Sequence, residues 1–145
     1  MKKFALVLVT LVIAVASVGA AHAETAIGVV FGYPGNAGLS LRFDDVPVGV
    51  AWSNDFVHGT VDKWLKKTPL DNAQLSWYYG FGVDAGIPFD DTHEFFLAGR
   101  VPIGLQYMFS PKWEGFAEAA PGLQVLDETD FYIAGAAGIR YVLGK

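Results

Sequence analysis

The chain has 145 residues, with 15 acidic side chains against ten basic ones and a formal net charge of −5. It contains no Cys, which excludes disulfides, thiolate metal sites and a lipid anchored on an N-terminal Cys. An acidic chain with no Lys/Arg cluster is also a poor candidate for nucleic-acid binding.

The first element in chain order is an export signal. Lys2 and Lys3 form a short basic start, Phe4 to Val18 is an almost unbroken apolar run, and Ala21-His22-Ala23 supplies the small-x-small pattern read by a signal peptidase. Residues 1–23 are therefore predicted to be a cleaved signal peptide, cut after Ala23. The run is short for a spanning helix, which needs about 20 residues, and no later stretch is long and apolar enough to be one. Residues 24–145 then suffice for one domain. The 17 Gly, 11 Phe and six Tyr of the chain suggest curved strands in that domain and not helices.

After Ala23 the dominant period is two. Shorter segments at about Thr25–Tyr33, Ala37–Phe43, Val46–Ser53 and Phe56–Leu65 are predicted strands. The clearest alternation follows, with Leu75, Trp77, Tyr79, Phe81, Val83, Ala85 and Ile87 facing one way and Ser76, Tyr78, Gly80, Gly82, Asp84 and Gly86 the other. Phe95–Phe109, Trp113–Val125 and Phe131–Leu143 complete eight strands. Turn residues punctuate them: Pro34-Gly35-Asn36, Asp44-Asp45, Asn54-Asp55, Pro88 to Glu94, Ser110-Pro111-Lys112 and Asp127 to Asp130, with Thr68 to Ala73 as the plainest connection. Pro102 and Pro121 are the awkward points, because proline gives no donor to a ladder.

The two faces of these strands differ in kind. One is almost continuously Ile, Leu, Val and aromatic, with Lys63 the chief exception. The other is mostly Gly, Ala and Ser with isolated charges: Arg42, Asp62, Asp84, Arg100, Glu114, Glu118 and Arg140. Small residues suit the cramped interior of an eight-stranded barrel, and an apolar outer face of this extent suits lipid better than water. The fold expected is therefore all-β: an eight-stranded antiparallel up-and-down transmembrane β-barrel over residues 24–145, in the bacterial outer membrane. Trp52, Trp64, Trp77 and Trp113 lie near strand ends and are expected to form aromatic girdles at the headgroup level.

Ionised groups inside such a barrel are costly unless paired. Arg42, Asp62, Asp84, Arg100, Glu118 and Arg140 are thus expected to form an internal network that plugs the barrel, with Glu118 between Arg100 and Arg140. The first, third, fifth and seventh connections carry Asp55, Asp90, Asp91, Glu94, Asp127, Glu128 and Asp130 and no Lys or Arg. Lys66, Lys67 and Lys112 fall at the opposite end, with Asp44, Asp45 and Asp71. The acidic rim has no calcium-loop spacing. Catalysis would need a nucleophile, a base and an acidic orienter. The two His after His22 are His58, on the inward face with Thr60 and Asp62, and His93, in a connection; neither has a Ser at local spacing. No catalytic residue, metal site or cofactor is expected. The competing readings are a lipid-modifying enzyme acting through His58 and Asp62, and a secreted lipocalin-like barrel binding an apolar ligand.

Three stretches, Tyr79-Gly80-Phe81-Gly82-Val83-Asp84, Arg100-Val101-Pro102-Ile103-Gly104-Leu105-Gln106-Tyr107 and Phe116-Ala117-Glu118-Ala119-Ala120-Pro121-Gly122-Leu123, join Gly138-Ile139-Arg140-Tyr141 in resembling the small outer-membrane barrels of the OmpA/OmpX type. The likeness is greatest to a family of such barrels typical of spirochaetes. It covers mainly residues 75 to 143. The resemblance implies a monomer in contact with outer-membrane lipid and lipopolysaccharide, inserted by the barrel-insertion machinery, with a role in envelope integrity or surface interaction. The chain departs from that pattern at its end, where Gly144 and Lys145 follow Tyr141-Val142-Leu143 in place of a terminal aromatic.

Overall fold

The computed structural model describes residues 24–33, 36–53, 56–70, 74–89, 95–125 and 129–144. The expected signal peptide and its cleavage site, His93 and the connection residues Asp55, Asp90, Asp91, Glu94, Asp127 and Glu128 lie outside the described residues. Every regular element is a strand: β1 Thr25–Tyr33, β2 Ala37–Phe43, β3 Val46–Trp52, β4 Phe56–Pro69, β5 Leu75–Pro88, β6 Phe96–Arg100, β7 Ile103–Ser110, β8 Trp113–Gln124 and β9 Asp130–Gly144. No helix among the described residues is long and apolar enough to cross a membrane.

All pairings are antiparallel; most run between chain neighbours, and β5–β7, β6–β8 and β1–β9 do not. β1 also pairs with β9, from Thr25↔Gly144 to Tyr33↔Gly135, and this closes the sheet into a ring. The ring has eight strand positions although nine strands are present. The predicted strand Phe95–Phe109 is interrupted at Val101-Pro102, giving β6 and β7, because proline cannot donate to the ladder. The register nevertheless continues across the gap. β5 pairs Gly82 with Arg100 and Tyr79 with Ile103, and β8 pairs Gly122 with Arg100 and Ala119 with Ile103. Backbone bonds bridge the gap on both sides: Gly80 N donates to Pro102 O at 3.0 Å, and Val101 N donates to Pro121 O at 2.9 Å. Both prolines thus serve as acceptors beside the gap.

Antiparallel neighbours put β2–β3, β4–β5 and β7–β8 connections at the same end as residues 24 and 144; the other four connections lie at the opposite end. These are called the terminus end and the loop end below. All three irregularities of register fall at the terminus end, at Thr25/Ala26, Trp64/Lys66 and Met108/Ser110, as bulges tend to do at rims. β4 also runs on to Pro69, beyond the expected Leu65.

Alternation decides what each face carries. Outward positions include Ile27, Val29, Phe31, Leu39, Phe81, Val83, Leu105, Phe109, Phe131 and Ile133, all exposed. The most deeply buried large side chains include Arg140, Tyr78, Glu114 and Asp84. The usual arrangement, apolar groups inside and charges outside, is reversed.

Candidate functional site

The interior polar groups occupy three levels, each assembled from inward-facing residues of several strands. At the terminus end, β8 presents Glu114, which is fully buried. Arg42 of β2 grips it in a fork, with Nε at 3.0 and 3.2 Å from the two carboxylate oxygens and Nη2 at 2.7 Å from Oε1. Gln106 Nε2 donates to the other oxygen, Oε2, and Arg140 Nη1 lies 3.5 Å from the same atom. The remaining donors are also used. Arg140 Nε donates to Ser40 Oγ at 2.8 Å, with its guanidinium 3.9 Å from the centre of the Phe116 ring. Lys67 Nζ reaches in from the rim to Gln106 Oε1 at 3.1 Å.

The middle level joins β4, β5, β6 and β8. Trp64 stacks on Tyr78 at 4.2 Å between ring centres. Tyr78 donates its hydroxyl to Glu118 Oε1 at 2.8 Å. Arg100 Nη2 donates to Glu118 Oε2 at 2.5 Å and to Asp62 Oδ2 at 3.1 Å. Arg100 Nε approaches Asp62 Oδ1 to 3.1 Å, but the angle does not make a hydrogen bond, so both atoms are buried with an ionic contact only. Nearer the loop end, Asp84 takes His58 Nδ1 at 3.2 Å on one oxygen and the Tyr132 hydroxyl at 3.2 Å on the other. Phe56 and Phe96 pack around the imidazole.

The side chains of all six residues of the expected network are buried, but the one expected relation among them is corrected. Glu118 does not sit between Arg100 and Arg140. Cross-strand register places Glu114 directly opposite Arg140, while Glu118 faces Ala136, so Arg140 belongs to the terminus-end level. Asp84 has His58 and Tyr132 as its hydrogen-bond partners. His58 is thereby paired with Asp84 and not with Asp62, and among the described residues no Ser or Thr hydroxyl is hydrogen-bonded to its ring.

The tryptophans divide as well. Trp52 and Trp113 are exposed at strand ends, Trp77 is half-buried beside Tyr79, and Trp113 meets the edge of Tyr141. Trp64 is not part of a girdle. It shares the parity of His58 and Asp62, points inward, is 3 % exposed and has no partner for its indole N–H. The important residues that sequence reasoning passed over are Glu114, left out of the network, and Gln106, Tyr78 and Tyr132. Parity alone could have found them, since Gln106 shares a face with Arg100, Tyr78 with Asp84 and Tyr132 with Arg140.

The space left in the ring is a cavity of about 80 Å³ bordered by Ser40, Thr60, Asp62, Arg100, Glu118 and Arg140. At about 30 Å³ of liquid volume per molecule, that holds two or three waters. No group of three or more His, Asp or Glu among the described residues could hold a metal ion. The arrangement can neutralise charge and fill the lumen. Among the described residues it aligns no nucleophile with His58. No family model, curated protein or solved structure matches the chain.

Proposed function

We propose that this chain is a small outer-membrane β-barrel of the OmpA/OmpX type, exported by a cleaved signal peptide, whose interior is plugged and whose role is non-catalytic: envelope integrity or surface interaction. One observation carries the reading, the reversal of polarity between the faces of the ring. Phe31, Leu39, Phe81, Phe109, Phe131 and Ile133 are each more than half exposed on the outside, while Arg42, Asp62, Asp84, Glu114 and Arg140 are each less than 5 % exposed on the inside. In water such an exterior would drive aggregation. In lipid it is the favourable surface, and a closed ring is the form in which strands leave no unpaired backbone group facing hydrocarbon.

The rival readings draw less from the same geometry. A lipocalin-like binder needs room for a ligand inside, and the cavity here is about 80 Å³, with Asp62, Asp84, Arg100, Glu118 and Arg140 standing among Val48, Ala51 and Phe116. A lipid-modifying enzyme needs a nucleophile beside His58, where Asp84, Phe56 and Phe96 stand. Lipid and lipopolysaccharide would contact the apolar exterior, and the barrel would act as a monomer.

The test is gel mobility of the protein recovered from a bacterial envelope fraction, boiled against unboiled. A closed barrel keeps its fold in detergent until heated, so recovery in the outer-membrane fraction with a heat-dependent shift is expected. Recovery as a periplasmic soluble protein with no shift would overturn the proposal.

A further inference from the structure

Glu24 directly follows the Ala21-His22-Ala23 pattern, and its backbone is held in a reciprocal clasp. Glu24 N donates to Asp44 Oδ1 at 3.0 Å, and Asp44 N donates back to Glu24 O at 2.9 Å. Arg42 closes the arrangement, with Nη2 on Glu24 Oε1 at 2.9 Å and Nη1 on Asp44 O at 2.5 Å. Asp44 itself occupies the left-handed region, with φ of 55°, in the two-residue turn between β2 and β3. Gly or Asn would suit that turn at least as well, so the turn does not require a carboxylate. The two neighbouring carboxylates are matched. Asp45 is paired with Lys63 at 2.6 Å, and the Glu24 carboxylate with Arg42. Among the described residues the Asp44 carboxylate has no Lys or Arg partner.

We propose that the bond between Ala23 and Glu24 is a processing site whose product is received by Asp44: the new α-ammonium of Glu24 forms an ion pair with the Asp44 carboxylate. The inference rests on the reading of residues 1–23 as an export signal. The signal peptidase hydrolyses the Ala23–Glu24 peptide bond. Water supplies the hydroxyl that completes the Ala23 carboxyl and the hydrogen that completes the Glu24 amine, and the acid proton passes to the amine, leaving a carboxylate and an ammonium. One amide N–H is thus replaced by three charged N–H donors facing the same acceptor, a stronger bond. The clasp ties the start of β1 to the β2–β3 turn beside the seam where β1 meets β9, so processing secures the closure of the ring.

The experiment takes the protein from the envelope of expressing cells, reads its N-terminal residue by mass spectrometry, and follows acylation of its α-amine by limiting acetic anhydride at neutral pH. Acylation consumes the free amine, and a neighbouring carboxylate favours the ammonium. The α-amine of the native protein is therefore expected to react about tenfold more slowly than that of the Asp44→Asn variant, one unit of proton affinity being tenfold in free base. Asn tolerates the left-handed turn and keeps a neutral acceptor, and an unchanged heat-dependent mobility shows that the variant is folded. Asp45→Asn, which removes the partner of Lys63, should leave the rate as in the native protein. A protein that begins at Glu24 but acylates at the Asp44→Asn rate overturns the clasp and leaves the export reading standing. A protein that begins at any other residue overturns both.

Discussion

The terminus-end and middle levels of the lumen solve the same problem in opposite ways. At the terminus end one buried carboxylate, Glu114, serves two guanidiniums, Arg42 and Arg140, the first of which also reaches Glu24 at the rim, with Gln106 and Ser40 taking up remaining polar groups. In the middle two carboxylates, Asp62 and Glu118, share one guanidinium, Arg100, and one of its contacts is ionic without being a hydrogen bond. Counting buried side chains alone, the first level has an excess of positive charge and the second an excess of negative charge, and the cavity bordered by Arg140, Asp62 and Glu118 lies where they meet. Neither level is balanced alone. The lumen is therefore better understood as one charge-compensated column than as separate salt bridges.

The comparison can be broken most severely at Glu114. Glu114→Gln keeps the shape but leaves Arg42 and Arg140 buried with no interior carboxylate, and guanidiniums do not shed their protons. Breaking a buried pair from one side costs about 3–5 kcal/mol, and this is the largest loss expected. It should show as a lower midpoint of the heat-dependent mobility shift in detergent, with no recovery in mildly acidic buffer.

Arg100→Gln attacks the other level and should cost less than the roughly 3–5 kcal/mol of a broken buried pair, because the groups left behind can neutralise themselves. Asp62 and Glu118 lose their shared cation and repel each other while both are ionised. As pH falls, either can take up a proton, and the repulsion goes. The deficit of the variant against the native protein should therefore shrink on acidification, the reverse of what Glu114→Gln shows. Equal pH dependence in the two variants would mean that the levels do not differ in the way their composition indicates.

A gentler perturbation acts through packing. A Cβ at Gly104 would lie 2.6 Å from Tyr78 Oη and 2.6 Å from Ala117 O, so the chain there needs glycine. Gly104→Ala must move the tyrosine that donates to Glu118, or spread β7 from β8. Overpacking of this kind costs about 1–3 kcal/mol. If the middle level depends on Tyr78, adding Tyr78→Phe to Gly104→Ala should cost less than the two changes summed, which a double-mutant cycle in detergent would measure.

These levels also mark how far the sequence could be read. The eight strand positions were legible because alternation over segments such as Leu75–Ile87 leaves little choice of element; Pro102 and Pro121 were both awkward within unbroken expected strands, and only Pro102 interrupts one. Parity also placed Arg42, Asp62, Asp84, Arg100, Glu118 and Arg140 on the inner face. Parity names a face, however, and says nothing about height within the ring. Which acid meets which base depends on the stagger between strands, and that stagger put Glu114 opposite Arg140 and left Glu118 opposite Ala136. The network was legible as a set and illegible as a list of pairs.

Trp64 shows the same limit from the other side, and sets the smallest effect expected. Its nearness to a strand end suggested a girdle, while its parity with Asp62 placed it inside, where it stacks on Tyr78 under Arg42 and Lys67. Trp64→Phe would give up part of a stacking contact, about 0.5–1.5 kcal/mol. It would also remove a buried N–H that has no acceptor, whose burial costs about 1–3 kcal/mol. The two effects oppose each other, so a net change of less than about 1 kcal/mol in either direction is expected from the same thermal assay. Indole fluorescence offers a second check: a quencher confined to the lipid phase should reach Trp52 and Trp113 but not Trp64, so removing Trp64 should raise the quenched fraction of the remaining emission. A fall in that fraction would put Trp64 on the outer face after all, and the middle level would then lose its aromatic floor.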